Sequence, residues 1–283
     1  MNILSLLLII LGISVQHIAK KTYSKLSAGV FSFSAVSALI AATIFIVTAN
    51  GELNFNTGII IYSVLFAATF SIGTVCSFMA IRTGPLSLTS LITQCSLVIP
   101  AIYGLIFLNE PIKMTMIAGI VLLLISIFLL NMKGKDENTN ISFKWAVFAF
   151  LSFLGNGVCS VVQKVQQIES GGLYKSELMI IAYAITAVLL ICFAWFTEKG
   201  YIVQNIKKGF LYSLVCGLAN GIVNFFVLML ATRMAASIMF PVVSAGGIVT
   251  TSLIAITVYR EKLSLNQKFS LILGIAAILV LNF

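Results

Sequence analysis

Charged and turn-forming residues cut the chain into ten apolar runs, at about 2–19, 29–48, 58–80, 86–107, 114–131, 144–163, 178–196, 210–230, 236–258 and 265–282. Each is near the roughly 20 residues that a helix needs to cross the hydrocarbon of a bilayer. None alternates apolar with polar positions, which excludes a membrane β-barrel. The cuts carry physical markers. The second run ends at Asn50-Gly51-Glu52 and the third at Arg82-Thr83-Gly84-Pro85. The fourth ends at Asn109-Glu110-Pro111, where the proline steers the residue before it out of the helical region. The first run has Lys20, Lys21 and Lys25 behind it and no charge ahead of it, so it reads as a retained helix, not a signal peptide. The pattern predicts an all-α integral membrane protein with ten transmembrane helices and short loops.

The runs also repeat. Arg82 and Glu110 stand 28 residues apart, as do Arg233 and Glu261, at an offset of 151. Ala80 matches Ala231 and Asn131 matches Asn282 at the same offset. Earlier in each half, Leu11-Gly12-x-x-Val15 resembles Leu154-Gly155-x-x-Val158, and Lys21 matches Lys164, at an offset of 143. The longest polar stretch, Lys133 to Asn140, lies between the two series. Two five-helix halves follow, at 1–132 and 144–283, joined by a polar linker at 133–143. Because five is odd, the second half enters the membrane from the opposite side. The result is an inverted repeat, an arrangement that serves alternating access.

Composition removes other classes. Of 283 residues, 60% are hydrophobic and 9% charged, against about a quarter charged in soluble domains. A soluble enzyme or a nucleic-acid binder is excluded, and the net charge of +9 needs a membrane explanation. Counting alternate loops places 13 of the 17 Lys and Arg on one face and Lys113, Lys164, Lys175 and Arg233 on the other. The positive-inside rule then makes the 13-residue face cytoplasmic and leaves both termini outside the cytoplasm. All eight acidic residues fall in loops or at span ends. An embedded carboxylate usually marks an ion or proton path, so carboxylate-driven antiport is disfavoured. The five cysteines lie in apolar runs without a C-x-x-C pair and read as small helix residues. No cofactor, metal cluster or enzymatic array is expected.

The segments GLIFLNEPIKMTMIAG (Gly104–Gly119) and AITVYREKLSLNQKFSLILG (Ala255–Gly274) resemble the repeat signature of EamA-type proteins of the drug/metabolite transporter superfamily. In each, an apolar helix ends in an acid, Glu110 or Glu261, and a glycine, Gly119 or Gly274, opens the next. The resemblance implies a polytopic secondary transporter of a small metabolite or drug-like molecule, export being the preferred direction, with the path between the halves. A magnesium-like cation transporter of the same superfamily, or a non-transporting membrane partner or sensor, is the alternative. The Trp-Gly pair common early in such repeats is absent, since the first helix reads Leu11-Gly12-Ile13-Ser14. Relatives are often drawn with both termini inside, opposite to the charge count.

Neutral polar residues form stripes inside the spans. Asn156, Ser160, Gln163 and Lys164 recur at i, i+4, i+7 and i+8, on one helical face. Asn220 and Asn224 make a similar face. Gln16, Ser71, Thr74 and Gln94 join them as candidates to line a substrate cavity, with interhelical hydrogen bonding as the competing role. Tyr103, like Tyr62 and Tyr183, could stack on a planar cargo or simply pack. Pro100 falls mid-span and Gly246-Gly247 lies near the corresponding place in the second half, so these are candidate gates or kinks. His17 is the one histidine, a candidate for proton coupling or for a place near the headgroups. The expected partners are a small-molecule substrate and the bilayer, with a homodimer left open.

Overall fold

The computed structural model describes residues 2–26, 29–49, 53–54, 57–108, 114–131, 142–260 and 265–281. Outside these fall Glu52, Glu110, Asp136, Glu137 and Glu261, and most of the linker. The described chain is a bundle of α-helices: α1 (Asn2–Ser24), α2 (Val30–Thr48), α3 (Thr57–Thr83), α4 (Leu86–Cys95), α5 (Val98–Phe107), α6 (Met114–Asn131), α7 (Phe143–Glu169), α8 (Lys175–Thr197), α9 (Ile202–Ala231), α10 (Ala236–Thr257) and α11 (Leu265–Leu281). Eight helical segments among the described residues are long and apolar enough to cross a membrane, with α4 and α5 counted as one stretch, Leu86–Phe107. Bulky side chains such as Val188, Phe193, Trp195 and Phe196 point outward, which suits a surface solvated by lipid.

Several helices outrun the hydropathy pattern. The first apolar run stops at residue 19, yet α1 continues to Ser24 and carries Lys20 and Lys21 as helical residues. Likewise α7 continues to Glu169 and α9 starts at Ile202, behind a 3-10 turn at Lys199–Tyr201. Lysine is a good helix former, and a charge ends an apolar run without ending a helix.

Packing is closest where side chains are small, as expected between helices in lipid. Helix α3 lies on α7, where a Cβ added to Gly155 would stand 2.6 Å from the amide nitrogen of Gly73. Helix α9 lies on both α1 and α2. There Gly217 faces the carbonyl of Ser37, and Gly221 that of Ala41. Helices α2 and α8 pack together around Phe45, Phe66, Phe70 and Tyr183. Helices α6 and α11 pair through Ser126 and Ser270, each hydroxyl donating to the other residue's carbonyl at 2.6 Å.

Helix ends are closed by side chains. Glu198 accepts from the amides of Phe31 and Ser32 at 2.7 and 3.2 Å. Its carboxylate thus meets two of the N–H groups that the start of α2 leaves free. Lys21 Nζ donates to the carbonyls of Ile81 and Gly84 at the end of α3, and Lys164 Nζ to those of Ala231 and Met234 at the end of α9. Both capped helices are followed by an extended residue, Pro85 or Ala235, at ψ 140° before α4 or α10 begins.

The span holding Pro100 is broken. Between α4 and α5, Ser96 and Leu97 carry i−3 bonds to Thr93 and Gln94, and Ile99 bonds back to Ser96. The break lies where a proline ring at 100 would collide with the carbonyl four residues earlier. Ser244 Oγ, from α10, donates to the Gln94 carbonyl at 2.8 Å. Helix α10 itself runs unbroken through Gly246-Gly247.

Candidate functional site

Six helices line a cavity of 120 Å³. From α1 come Gln16, His17 and Lys20; from α3, Phe70, Thr74 and Ser77; from α4, Thr93 and Gln94. Helix α7 supplies Asn156, Ser160 and Gln163, α9 supplies Asn220 and Asn224, and α10 the apolar wall of Met239, Phe240 and Val243. Ser96 and Leu97, at the α4–α5 break, also line it. A second, smaller hollow of 10 Å³ shares Gln16, Lys20, Phe70, Thr74 and Asn220 with the first and adds Ser34 and Ser37 of α2.

The amides are wired together across α7 and α9. Gln163 Nε2 donates to Asn224 Oδ1 at 2.7 Å, and Asn224 Nδ2 donates to Asn220 Oδ1 at 2.8 Å. Asn156 Nδ2 is held by Ser152, through its carbonyl at 2.8 Å and its hydroxyl at 3.1 Å. Ser160 Oγ donates to the Asn156 carbonyl. These bonds orient the remaining lone pairs and N–H groups, as a preformed polar wall requires. Gln94 Nε2 and His17 Nδ1 are buried with no hydrogen-bond partner among the described residues. Gly247 leaves the space that the Gln94 amide occupies, and Gly246 likewise receives the Ile10 side chain. Both glycines thus allow close approach by a neighbouring side chain within the continuous helix α10.

Of the sequence candidates, Gln16, Thr74, Gln94, Asn156, Ser160, Gln163, Asn220 and Asn224 share this one cavity. Ser71 and Tyr103 stand apart from its lining. Ser71 Oγ donates back to the Ala67 carbonyl, and Tyr103 stacks on Phe107 at 4.8 Å between ring centres. Pro100 is buried in the first turn of α5, also outside the lining. Tyr62 donates to Glu169 at 2.5 Å, and Tyr183 belongs to the aromatic core. Lys164, read from the sequence as part of the polar stripe, caps α9 instead. His17 was given two alternative places, and it sits in the cavity wall at 4% exposure.

Sequence reasoning missed Lys20. Its position just past an apolar run assigned it to a loop at the membrane face, whereas α1 carries it one turn further and buries it. The signal available was the spacing: Gln16, His17 and Lys20 recur at i, i+1 and i+4, so one helical face holds all three.

With this geometry in place, relatives can be compared. The model of the EamA-like transporter family matches residues 1–132. Residues 1–132 belong to that family. The EamA-like segment thus comprises α1 to α6 and supplies the α1, α3 and α4 walls of the cavity. A solved crystal structure aligns with nearly the whole bundle at a TM-score of 0.75, covering 99% of this chain and 95% of the other at 14% identity. That likeness extends the fold past residue 132. No curated protein matches the sequence. Residues 1–132 place the first half of the chain in the drug/metabolite transporter superfamily, and the apolar helices make the chain a multi-pass membrane protein.

Proposed function

We propose that the chain is a secondary transporter that moves a small, polar, drug-like or metabolite molecule by alternating access between two inverted five-helix halves, residues 1–132 and 144–283. The observation that carries this reading is the cavity itself, toward which six helices of the apolar bundle turn hydrogen-bonding side chains or an apolar wall. Polar groups inside a membrane bundle are costly unless they bond one another or a cargo.

The packing pattern supports two related halves. Helix α1 lies on α9 as α7 lies on α3, and α2 lies on α9 as α8 lies on α3. Helix α1 meets α10 as α7 meets α4 and α5. Lys21 and Lys164 each grip two carbonyls three residues apart, at 81 and 84 and at 231 and 234. The grips correspond at an offset of 150, one less than the offset of the two arginines. The α4–α5 break touches the cavity and is the element best placed to bend during the cycle. Export is the preferred direction.

The test is reconstitution of the purified protein in liposomes with a metabolite panel. Saturable flux of at least one member is expected, reduced about tenfold or more in Asn156→Ala/Asn224→Ala, since two buried amide contacts are each worth about 1 kcal/mol. Flux indifferent to the double substitution would remove the cavity from the path.

A further inference from the structure

A buried ammonium in a membrane bundle needs a partner, because hydrocarbon and apolar side chains offer none. This chain meets that need at Lys164, which is 3% exposed and holds carbonyls at 2.6 and 2.7 Å. It meets it again at Lys21, with carbonyls at 3.3 and 3.1 Å. Lys20 is different. It is 6% exposed, it has no hydrogen-bond acceptor among the described residues, and it lines both hollows, which share this stretch of wall. Four buried polar atoms without a hydrogen-bond partner among the described residues belong to the same lining. Ser34 Oγ lies at the smaller hollow, and His17 Nδ1, one turn before Lys20, joins Ser77 Oγ and Gln94 Nε2 at the larger.

No described carboxylate lines either hollow. Glu198 is bound to the start of α2, Glu169 takes the Tyr62 hydroxyl, and Glu177 takes the amide of Asn54. We propose that Lys20 anchors a single anionic group on the transported molecule and that the cargo is a small polar monocarboxylate. Its carboxylate sits at the stretch of wall that the two hollows share, and its polar remainder faces the chain of Gln163, Asn224 and Asn220. One ammonium among neutral donors balances one charge. A phosphate dianion would leave excess charge in the interior, a cation would be repelled, and an uncharged cargo would leave the ammonium unpaired. The inference rests on the transporter reading of the same cavity and narrows its substrate class.

The test separates the two. Purified full-length protein is melted with rising concentrations of lactate, pyruvate, glycerate or 3-hydroxybutyrate, and with ethanolamine, glycerol or inorganic phosphate as comparisons. At least one monocarboxylate is expected to raise the melting temperature saturably. Its apparent affinity should fall at least about tenfold in Lys20→Met and recover to within about threefold in Lys20→Arg, as loss of a charge-assisted contact requires. Lys20→Met should melt, without ligand, at or above the wild-type temperature, because it removes an uncompensated buried charge. The proposal is overturned if no monocarboxylate stabilises the wild type, if the stabilisation survives Lys20→Met, or if only ethanolamine, glycerol or phosphate stabilises. Flux of the same compounds into liposomes reads the other claim. A monocarboxylate that binds through Lys20 without crossing keeps the anion site and overturns transport. Saturable glycerol flux indifferent to Lys20 keeps transport and overturns the anion site.

Discussion

A methyl group added at Gly155 would lie 2.6 Å from the amide nitrogen of Gly73 and 2.8 Å from its Cα. Both are backbone atoms, so no rotamer change relieves the clash and helices α3 and α7 must move apart. Gly155→Ala is expected to destabilise by about 1–3 kcal/mol. Gly200→Ala, with nothing within 4 Å of the added carbon, should change stability by less than about 0.5 kcal/mol. Thermal melting of the two variants side by side checks the contrast, and equal melting temperatures would contradict the close approach. At this scale the sequence was informative about amides and silent about lysines. Asn156, Ser160 and Gln163 announced a shared face because helical spacing is periodic. Lys20, Lys21 and Lys164 look alike in sequence, yet one opens into a cavity and two cap helices. What separates them is the carbonyls contributed by α3 and α9, some 60 to 70 residues further along the chain.

Among the elements, the break between α4 and α5 invites the sharpest experiment. Pro100→Ala restores an N–H at position 100 and removes the ring that crowds the Ser96 carbonyl. One continuous helix from Leu86 to Phe107 should then form, with stability unchanged or raised by up to about 3 kcal/mol, the cost of a proline within a helix. Initial flux should fall about tenfold if bending there limits the cycle, and a stabilised variant with wild-type flux would rule the break out as a moving part. The proline made a kink legible in the sequence. The close approach at Gly246-Gly247 was not legible, because glycine serves both bending and close approach. Only the neighbours, Ile10 and the Gln94 amide, decide between them. Element boundaries were blurred for a related reason: apolar runs end at the first charge, whereas helices such as α1 and α7 end at their caps.

For the molecule as a whole, orientation follows from charge. Lys20, Lys21 and Lys164 are spent inside the bundle or on helix ends, and setting them aside leaves eleven basic residues on one face against three on the other. The asymmetry survives, so an epitope fused at Met1 is expected to be reachable by antibody on intact cells. Detection only after permeabilisation would reverse the assignment. The all-α, membrane-spanning character was legible because the apolar runs fall on helices or, for the fourth, on the α4–α5 pair. The cavity was legible only as a set of stripes, since which stripes converge depends on which helices touch. The α6–α11 pair carries a last implication. Ser126 and Ser270 exchange hydroxyl-to-carbonyl bonds, and no water waits in hydrocarbon to replace them. Sliding one helix along the other would sever both bonds at once, so there is no gradual displacement with intermediate cost. In the transport cycle proposed above, such a pair is expected to act as a fixed post and not as a moving part.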